Sequence, residues 1–329
     1  MGYRQDKERR RLMSHSHRSK WMRRLSQQQL QAEVWKRSHI LKFYKVDDGF
    51  LSKAPTFFTD QDFHAIRKHP RVRQFMLDFY VWNEKVLWLV TSTSQPYIEM
   101  QRKLAHMVNP FVGKSLVDLG CGSGDFCAQL FQSNGASVKK IFAIDIDWKV
   151  LTKVPDVLSA AGYRQEVALI QGSTMSKLPI WDSSVDCVVS SLGGLMYAGW
   201  WFDDKQMAWE GQAALLECLG DIRRILRPGG YLAFSAPRPN PDWGAVLKGS
   251  IRWLIKHGQL VKLYRAIRYG VPAKHLSQFM NQVESEGHAH YLSVEEWSKL
   301  LDQAGFEVIE SSFGEVYAKQ GVVVLARKK

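Results

Sequence analysis

Between positions 118 and 124 the chain reads Asp-Leu-Gly-Cys-Gly-Ser-Gly, and a second acid, Asp145, stands 25 residues beyond Gly120. Glycines at 120, 122 and 124 let a backbone turn tightly and approach a ligand closely, because they have no Cβ and accept positive φ. An acid at the end of the next strand can take both hydroxyls of a ribose. The chemistry implied is the binding of a nucleoside. A dinucleotide reading expects G-x-G-x-x-G and a pyrophosphate on the helix start. Here Asp125 occupies that helix start. An acid there stabilises the helix but repels a diphosphate. The pattern suits a cofactor with no phosphate and a positive centre.

These residues need elements to hold them. Ser115–Gly120 reads as a short apolar strand closed by glycine, and a helix begins at Gly124. Lys140–Asp145 reads as a second strand, followed by a helix over 147–161. Glu166–Gln171 and Ser184–Ser191 read as strands three and four. A helix over about 207–226 stops at Arg227-Pro228-Gly229-Gly230, a strong stop signal, and Tyr231–Ala236 follows as strand five. Strands alternating with helices imply a parallel, doubly wound α/β sheet. The end breaks the alternation: a helix over 293–304 precedes strands at 306–313 and 320–326, close enough to pair as an antiparallel hairpin. Upstream, 60–110 reads as helical, interrupted at Pro96 and ended by Asn109-Pro110.

With those elements in place the chain resembles the class I S-adenosylmethionine (SAM)-dependent methyltransferases. Val117–Gly124 is similar to their first motif, and Asp145 to the acid of their second strand. Leu178–Asp186 resembles the L-P-F-x-D-x-S-F-D segment before strand four. Leu226–Leu232 resembles the L-K-P-G-G-x-L turn before strand five, and Leu301–Phe306 the L-x-x-A-G-F before strand six. The resemblance covers about 97–329 and implies a seven-stranded sheet of order 3-2-1-4-5-7-6, with strand seven antiparallel. The small-molecule branch, which methylates quinones, sterols and lipids, is nearest in flavour. The resemblance implies SAM as cofactor, with Asp118 and Gly120 beside its methionine amine and the backbone of 120–124, Cys121, Gly122 and Gly124 included, passing beneath it. Asp145 would hold the ribose hydroxyls and Ile146 would pack on the adenine. Ser173, Thr174 and Ser191 would complete the cofactor site. Two departures stand out. Gly172-Ser173-Thr174 replaces the family's Gly-Asp-Ala, and Ser191-Leu-Gly-Gly replaces His-His or His-Trp. No catalytic base is carried over and no metal is expected.

In such sheets the ligand lies beyond the carboxyl ends of the strands. Tyr197, Trp200, Trp201, Pro237 and Trp243 fall there. The paired Trp would give either an aromatic wall for a flat or greasy acceptor or a plug that packs the 197–209 insertion on the sheet. Tyr97 could close over the cofactor or sit in the core. His288, His290 and Tyr291 could line the pocket or take surface or cap roles. Cys121 reads as a small filler, not a nucleophile.

The chain has 329 residues and a net charge of +13, with 45% hydrophobic residues, which excludes disorder throughout. Its four Cys show no C-x-x-C spacing and no disulfide framework. No run of about 18 apolar residues exists to span a membrane. The charge is uneven. Residues 1–45, a basic and partly disordered tail, hold a net +10, and 244–276 hold +7 with no acid. The remainder is −4. Three parts are expected: the tail, a helical extension at 46–110, and a cofactor domain at 111–329 with a lid at 242–290. Basic charge interleaved with Trp, Tyr and aliphatics in the lid suits a membrane interface, or a lid helix whose charged face is merely solvated. The leading expectation is methyl transfer to a small hydrophobic or lipid-like acceptor, with an anionic membrane surface as a partner through 1–45 and 244–276. An RNA or protein methyltransferase using the basic tail, and a non-catalytic binding module, are the alternatives. The expected compartment is the cytoplasm or a membrane periphery. An import signal stays open, although Asp6 and Glu8 fit one poorly.

Overall fold

Seven short apolar runs become one mixed sheet. In chain order they are β1 (Ser115–Leu119), β2 (Lys140–Asp145), β3 (Glu166–Gln171), β4 (Val185–Ser191), β5 (Leu226–Pro237), β6 (Phe306–Val316) and β7 (Gly321–Lys328). Their spatial order is β3-β2-β1-β4-β5-β7-β6. β7 pairs antiparallel with both β5 and β6, and the other pairs are parallel. The sheet order and the terminal hairpin are those the sequence implied. This computed structural model describes residues 93–134, 137–146, 148–172, 177–198, 212–268 and 289–329, all within one compact unit, Glu84–Lys329. The tail at 1–45, the helical extension as far as 92, Ser173, Thr174, Trp200, Trp201, His288 and the expected lid from 269 to 288 lie outside the described residues.

Two helical layers cover the sheet. α1 (Gln95–Val108) buries Met100, Leu104, Met107 and Val108, one face at helical spacing. It packs in one core with α2 (Asp125–Asn134), the short α3 (Trp148–Leu151) and α4 (Val154–Ala160). Pro96 sits in the first turn of α1 behind the cap Ser94, where its missing N–H costs nothing, and the helical pattern expected upstream of position 93 lies outside the described residues. The helix expected over 147–161 divides in two because Pro155 can only open a helix, and it occupies the first turn of α4. On the other face lie α5 (Gln212–Ile225) and α8 (Val294–Gln303), where Trp297 is fully buried against Phe234 of β5. α8 starts with a capping box between Ser293 and Glu296. α6 (Trp243–Lys256) and α7 (Leu260–Arg268) follow β5 as a helical pair.

β5 begins five residues earlier than expected. The Arg227-Pro228-Gly229-Gly230 turn is absorbed as an irregularity in its pairing with β4, with Gly229 at φ +72°. Two motifs of the resemblance are scaffold at the amino ends of the strands. Asp186 accepts from the Lys114 and Ser115 amides, at 2.8 and 2.9 Å, and from Arg227 at 2.6 Å. Arg224 donates to the Leu178 and Ile180 carbonyls, at 2.9 and 2.8 Å, and to Asp182 and Asp221, both at 2.6 Å.

Candidate functional site

The carboxyl ends of β1, β2 and β4 converge on the glycine turn. Gly120, Gly122 and Gly124 have φ of +74°, +53° and +88°, which a residue with a Cβ adopts only at a cost. The turn is anchored from β2. The Gly120 and Cys121 amides both donate to the Ile144 carbonyl, at 2.8 and 3.0 Å, and the Gly122 amide donates to Asp145 Oδ2 at 2.8 Å. A Cβ on Gly122 would meet nothing within 4 Å, so the turn faces open space at that point.

The Gly193-Gly194 departure after β4 has a steric reason. A Cβ on Gly193 would lie 2.7 Å from the Leu119 carbonyl oxygen, and one on Gly120 would lie 2.1 Å from the Gly194 nitrogen. The two loops touch backbone to backbone, so a side chain at position 193 has no room. Ser190 ties them together: its hydroxyl donates to the Leu119 carbonyl at 2.9 Å and accepts from the Leu195 amide at 3.2 Å.

Three acids edge this space. Asp118 is buried and accepts from the Cys127 thiol at 3.1 Å. Burial, partly offset by that thiol and reinforced by the charges of Asp145 and Asp125, pushes its carboxyl up to about 7. Asp125 opens α2 and accepts from Ser123 at 2.8 Å. Burial raises the Cys121 and Cys127 thiols well above their ordinary range, which makes both inert fillers.

Above the glycine turn the structure brings together aromatic rings from distant parts of the chain. Tyr97 of α1 meets Tyr317 edge to face at 6.5 Å. Trp243, at the start of α6, meets Tyr317 at 6.0 Å and Tyr291 at 6.3 Å, also edge to face. Tyr197 lies within hydrogen-bonding reach of Tyr291. The Ser191 hydroxyl is buried, makes no hydrogen bond of standard geometry, and lies against the Tyr97 phenol, which accepts from Gln101 at 2.8 Å. Burial raises Tyr97, Tyr197 and Tyr317 above the ordinary phenol range; for Tyr97 the nearby charge of Asp125 adds to it. None of these phenols ionises near neutral pH.

Of the residues picked out from sequence, Asp118, Gly120, Cys121, Gly122, Gly124 and Asp145 meet at the turn, with the half-buried Ile146 directly after β2. Ser191, Tyr97, Tyr197 and Trp243 meet in the aromatic cluster. His290 takes neither a pocket nor a surface role. It is buried, its Nε2 donates to the Ala198 carbonyl at 2.6 Å, and its amide donates to Met196. Burial lowers its pKa, so it is a neutral clasp on the loop after β4. Tyr291 beside it is also buried, so the surface or cap role fails for both. Tyr317 was missed. It belongs to a turn, Tyr317–Lys319, in which all three residues have positive φ, of 56°, 54° and 66°, without a glycine.

The residues present fit SAM. An open glycine turn lies beside a strand-end acid able to take hydroxyls, and a buried carboxyl needs a cation to stay ionised near neutral pH. Among the described residues no group of His, Cys, Asp and Glu could hold a metal ion.

A family model described as a methyltransferase domain matches residues 111–305, more than half of the chain. The malonyl-[acyl-carrier protein] O-methyltransferase of Pectobacterium atrosepticum is 28% identical over 143 residues, which is 42% of this chain and 46% of that protein. A protein of Arabidopsis thaliana named as a probable protein arginine N-methyltransferase is 24% identical over 208 residues, 62% of this chain and 36% of its own. The match therefore spans less than half the length of either relative. A SAM-dependent methyltransferase structure from Aquifex aeolicus aligns with 73% of this chain and 97% of its own, at 16% identity and a TM-score of 0.44. The glycine turn, the strand-end acid, the sheet order and the family match agree: this chain belongs to the class I SAM-dependent methyltransferases, and its cofactor is S-adenosylmethionine.

Proposed function

We propose that this methyltransferase acts on a small hydrophobic, lipid-like acceptor. The observation behind the reading is the aromatic cluster of Tyr97, Tyr197, Trp243, Tyr291 and Tyr317 at the carboxyl ends of the strands, beside the cofactor turn. Such a wall offers ring faces and un-ionised phenols, which suit a flat or apolar molecule. It offers little to the phosphates of RNA.

When bound, SAM supplies an activated methyl on a sulfonium for in-line displacement. The protein's part is mainly alignment and exclusion of water. In this reading Asp118 would stay ionised against the cofactor's ammonium, Asp145, held by the Gly122 amide, would accept from the ribose hydroxyls, and Ile146 would pack on the adenine. Ser173 and Thr174 remain proposed contacts on the adenine side. Tyr97 and Tyr317, which lie against each other, would help to close the cofactor space, and Trp243 and Tyr197 would orient the acceptor, with Trp200 and Trp201 as proposed extensions of that wall. Tyr97, Tyr197 and Tyr317 do not ionise near neutral pH, which suits an acceptor that attacks with a lone pair or electron-rich carbon it already has.

The test is transfer of radiolabelled methyl from SAM, with the full chain, into separate fractions of a cell extract: organic-extractable molecules, polar metabolites, protein and RNA. Label in the organic-extractable fraction supports the reading. Label confined to protein, RNA or polar metabolites overturns it. Trp243→Ala is expected to lower transfer about tenfold or more while leaving SAM affinity within about twofold.

A further inference from the structure

Eight large hydrophobic side chains are conspicuously exposed among the described residues, and five of them fall between positions 255 and 267. They are Ile255 at the end of α6 and Leu260, Val261, Tyr264 and Ile267 on α7, each between 61 and 72% exposed. Single exposed aliphatics are ordinary on a protein surface, but a cluster of this kind marks an interaction site. The spacing makes it one face. Positions 260, 261, 264 and 267 recur at helical intervals, and the opposite side of α7 packs inward through the buried Ala266 and half-buried Leu263. Gly258, at φ +64°, turns the chain between the helices and places Ile255 at the same tip.

The charge around this face is of one sign. Lys248, Arg252, Lys256 and Lys262 are exposed on the two helices, and no acid occurs from 244 to 276. The occupant must therefore be apolar and anionic at once. A second copy meeting the same face would bring like charge to like charge. The chain's own first 45 residues, at +10, have the wrong sign to cover it. Nucleic acid matches the charge but leaves five aliphatic and aromatic side chains without an apolar partner. A bilayer with anionic headgroups satisfies both demands, because the aliphatics enter the acyl boundary while the lysines remain at headgroup level.

The structure assigns this tip, Ile255 with the outer face of α7, as the docking surface for an anionic lipid bilayer. The assignment stands apart from the identity of the methyl acceptor. Docking there would also bring the helix pair that begins at Trp243, in the aromatic cluster, onto the membrane.

The test is flotation of the full chain with vesicles of phosphatidylcholine alone and with about 30% phosphatidylglycerol. Expected is binding to the anionic vesicles and little to the neutral ones. A Leu260→Ser, Val261→Ser, Ile267→Ser variant keeps every charge and is expected to bind about tenfold more weakly or worse. Its thermal shift with SAM, unchanged from the parent, shows that the fold persists. Equal binding by parent and variant would place the attraction in the basic tail and overturn the assignment, as would absence of vesicle binding. A concentration-dependent dimer that the variant loses would give the face to a second copy and overturn it equally. Failure of methyl transfer to any lipid-like acceptor leaves the flotation result unaffected, so the two readings fail separately.

Discussion

Asp118 is a carboxyl that keeps its proton longer than an ordinary aspartate, because burial disfavours its charge. The folded state then binds a proton that the unfolded chain releases at lower pH. Its contribution to stability is complete below the ordinary carboxylate range and is lost as pH rises to about 7. Asp118→Asn removes that dependence. Thermal unfolding of parent and variant without ligand, between pH 5 and 8, is expected to show the parent losing stability relative to the variant as pH rises; parallel curves would refute it. A cation beside Asp118 favours the ionised carboxyl, so SAM affinity should strengthen as pH rises toward the apo pKa, by up to about tenfold per pH unit. At this scale the sequence was informative where residue type marks the role. The glycines at 120, 122 and 124 and the acids at 118 and 145 could be picked out because few residues do what they do. His290 could be picked out but its role could not be read, because its partner is the carbonyl of Ala198, 92 residues away, and a backbone carbonyl leaves no trace in residue identity.

The β6–β7 turn has the same lesson at the level of elements. Three consecutive non-glycine residues in the left-handed region cost about 1–2 kcal/mol each, so the surroundings must impose the turn. Gln320 is central to this. Its side-chain oxygen accepts from the Asp242 amide at 2.8 Å, its side-chain nitrogen donates to Ala318 at 3.3 Å, and its carbonyl accepts from the Arg238 amide at 2.9 Å. Gly321 completes the fit, since a Cβ there would lie 2.9 Å from Tyr317 Cβ. The turn and the start of α6 are thus one unit that sets Tyr317 against Trp243. Gln320→Ala is expected to lower stability by about 1–3 kcal/mol, because the Asp242 amide loses its partner, and to weaken acceptor use more than SAM binding. Urea unfolding with separate measurement of SAM affinity checks both, and an unchanged midpoint would sink the idea. The strand order needed none of this detail. Gly120 after β1, Pro228-Gly229-Gly230 and Gly305 punctuate the chain, and the 3-2-1-4-5-7-6 order follows once the strands are counted against the family. What lay hidden was the shape of a connection: Tyr-Ala-Lys reads as an ordinary link, and only packing forces it left-handed.

Across the whole molecule the charge is divided between parts that meet different ligands. Positive charge is concentrated in residues 1–45 and on α6 and α7, while Asp118, Asp125 and Asp145 gather at the cofactor turn. The two ends should respond differently to salt. The lysines of α6 and α7 are exposed, and the proposed attraction to a charged bilayer would act over a distance that shrinks from about 10 Å at 0.1 M salt to about 3 Å at 1 M. Asp118 is buried, and a cofactor cation beside it would be shielded far less. SAM at about a hundred times its Kd stabilises a native-only site by about 2.7 kcal/mol, or roughly 5–10 °C in Tm for a unit of this size. Raising salt from about 0.1 M to 0.5 M should therefore release most of the chain from anionic vesicles while leaving the SAM-dependent rise in Tm within about 2 °C of its low-salt value. Flotation and thermal unfolding across the same salt series read the two responses. Loss of both together would mean that cofactor and bilayer are held by one exposed field, and would contradict a buried acid site with a separate basic, apolar tip.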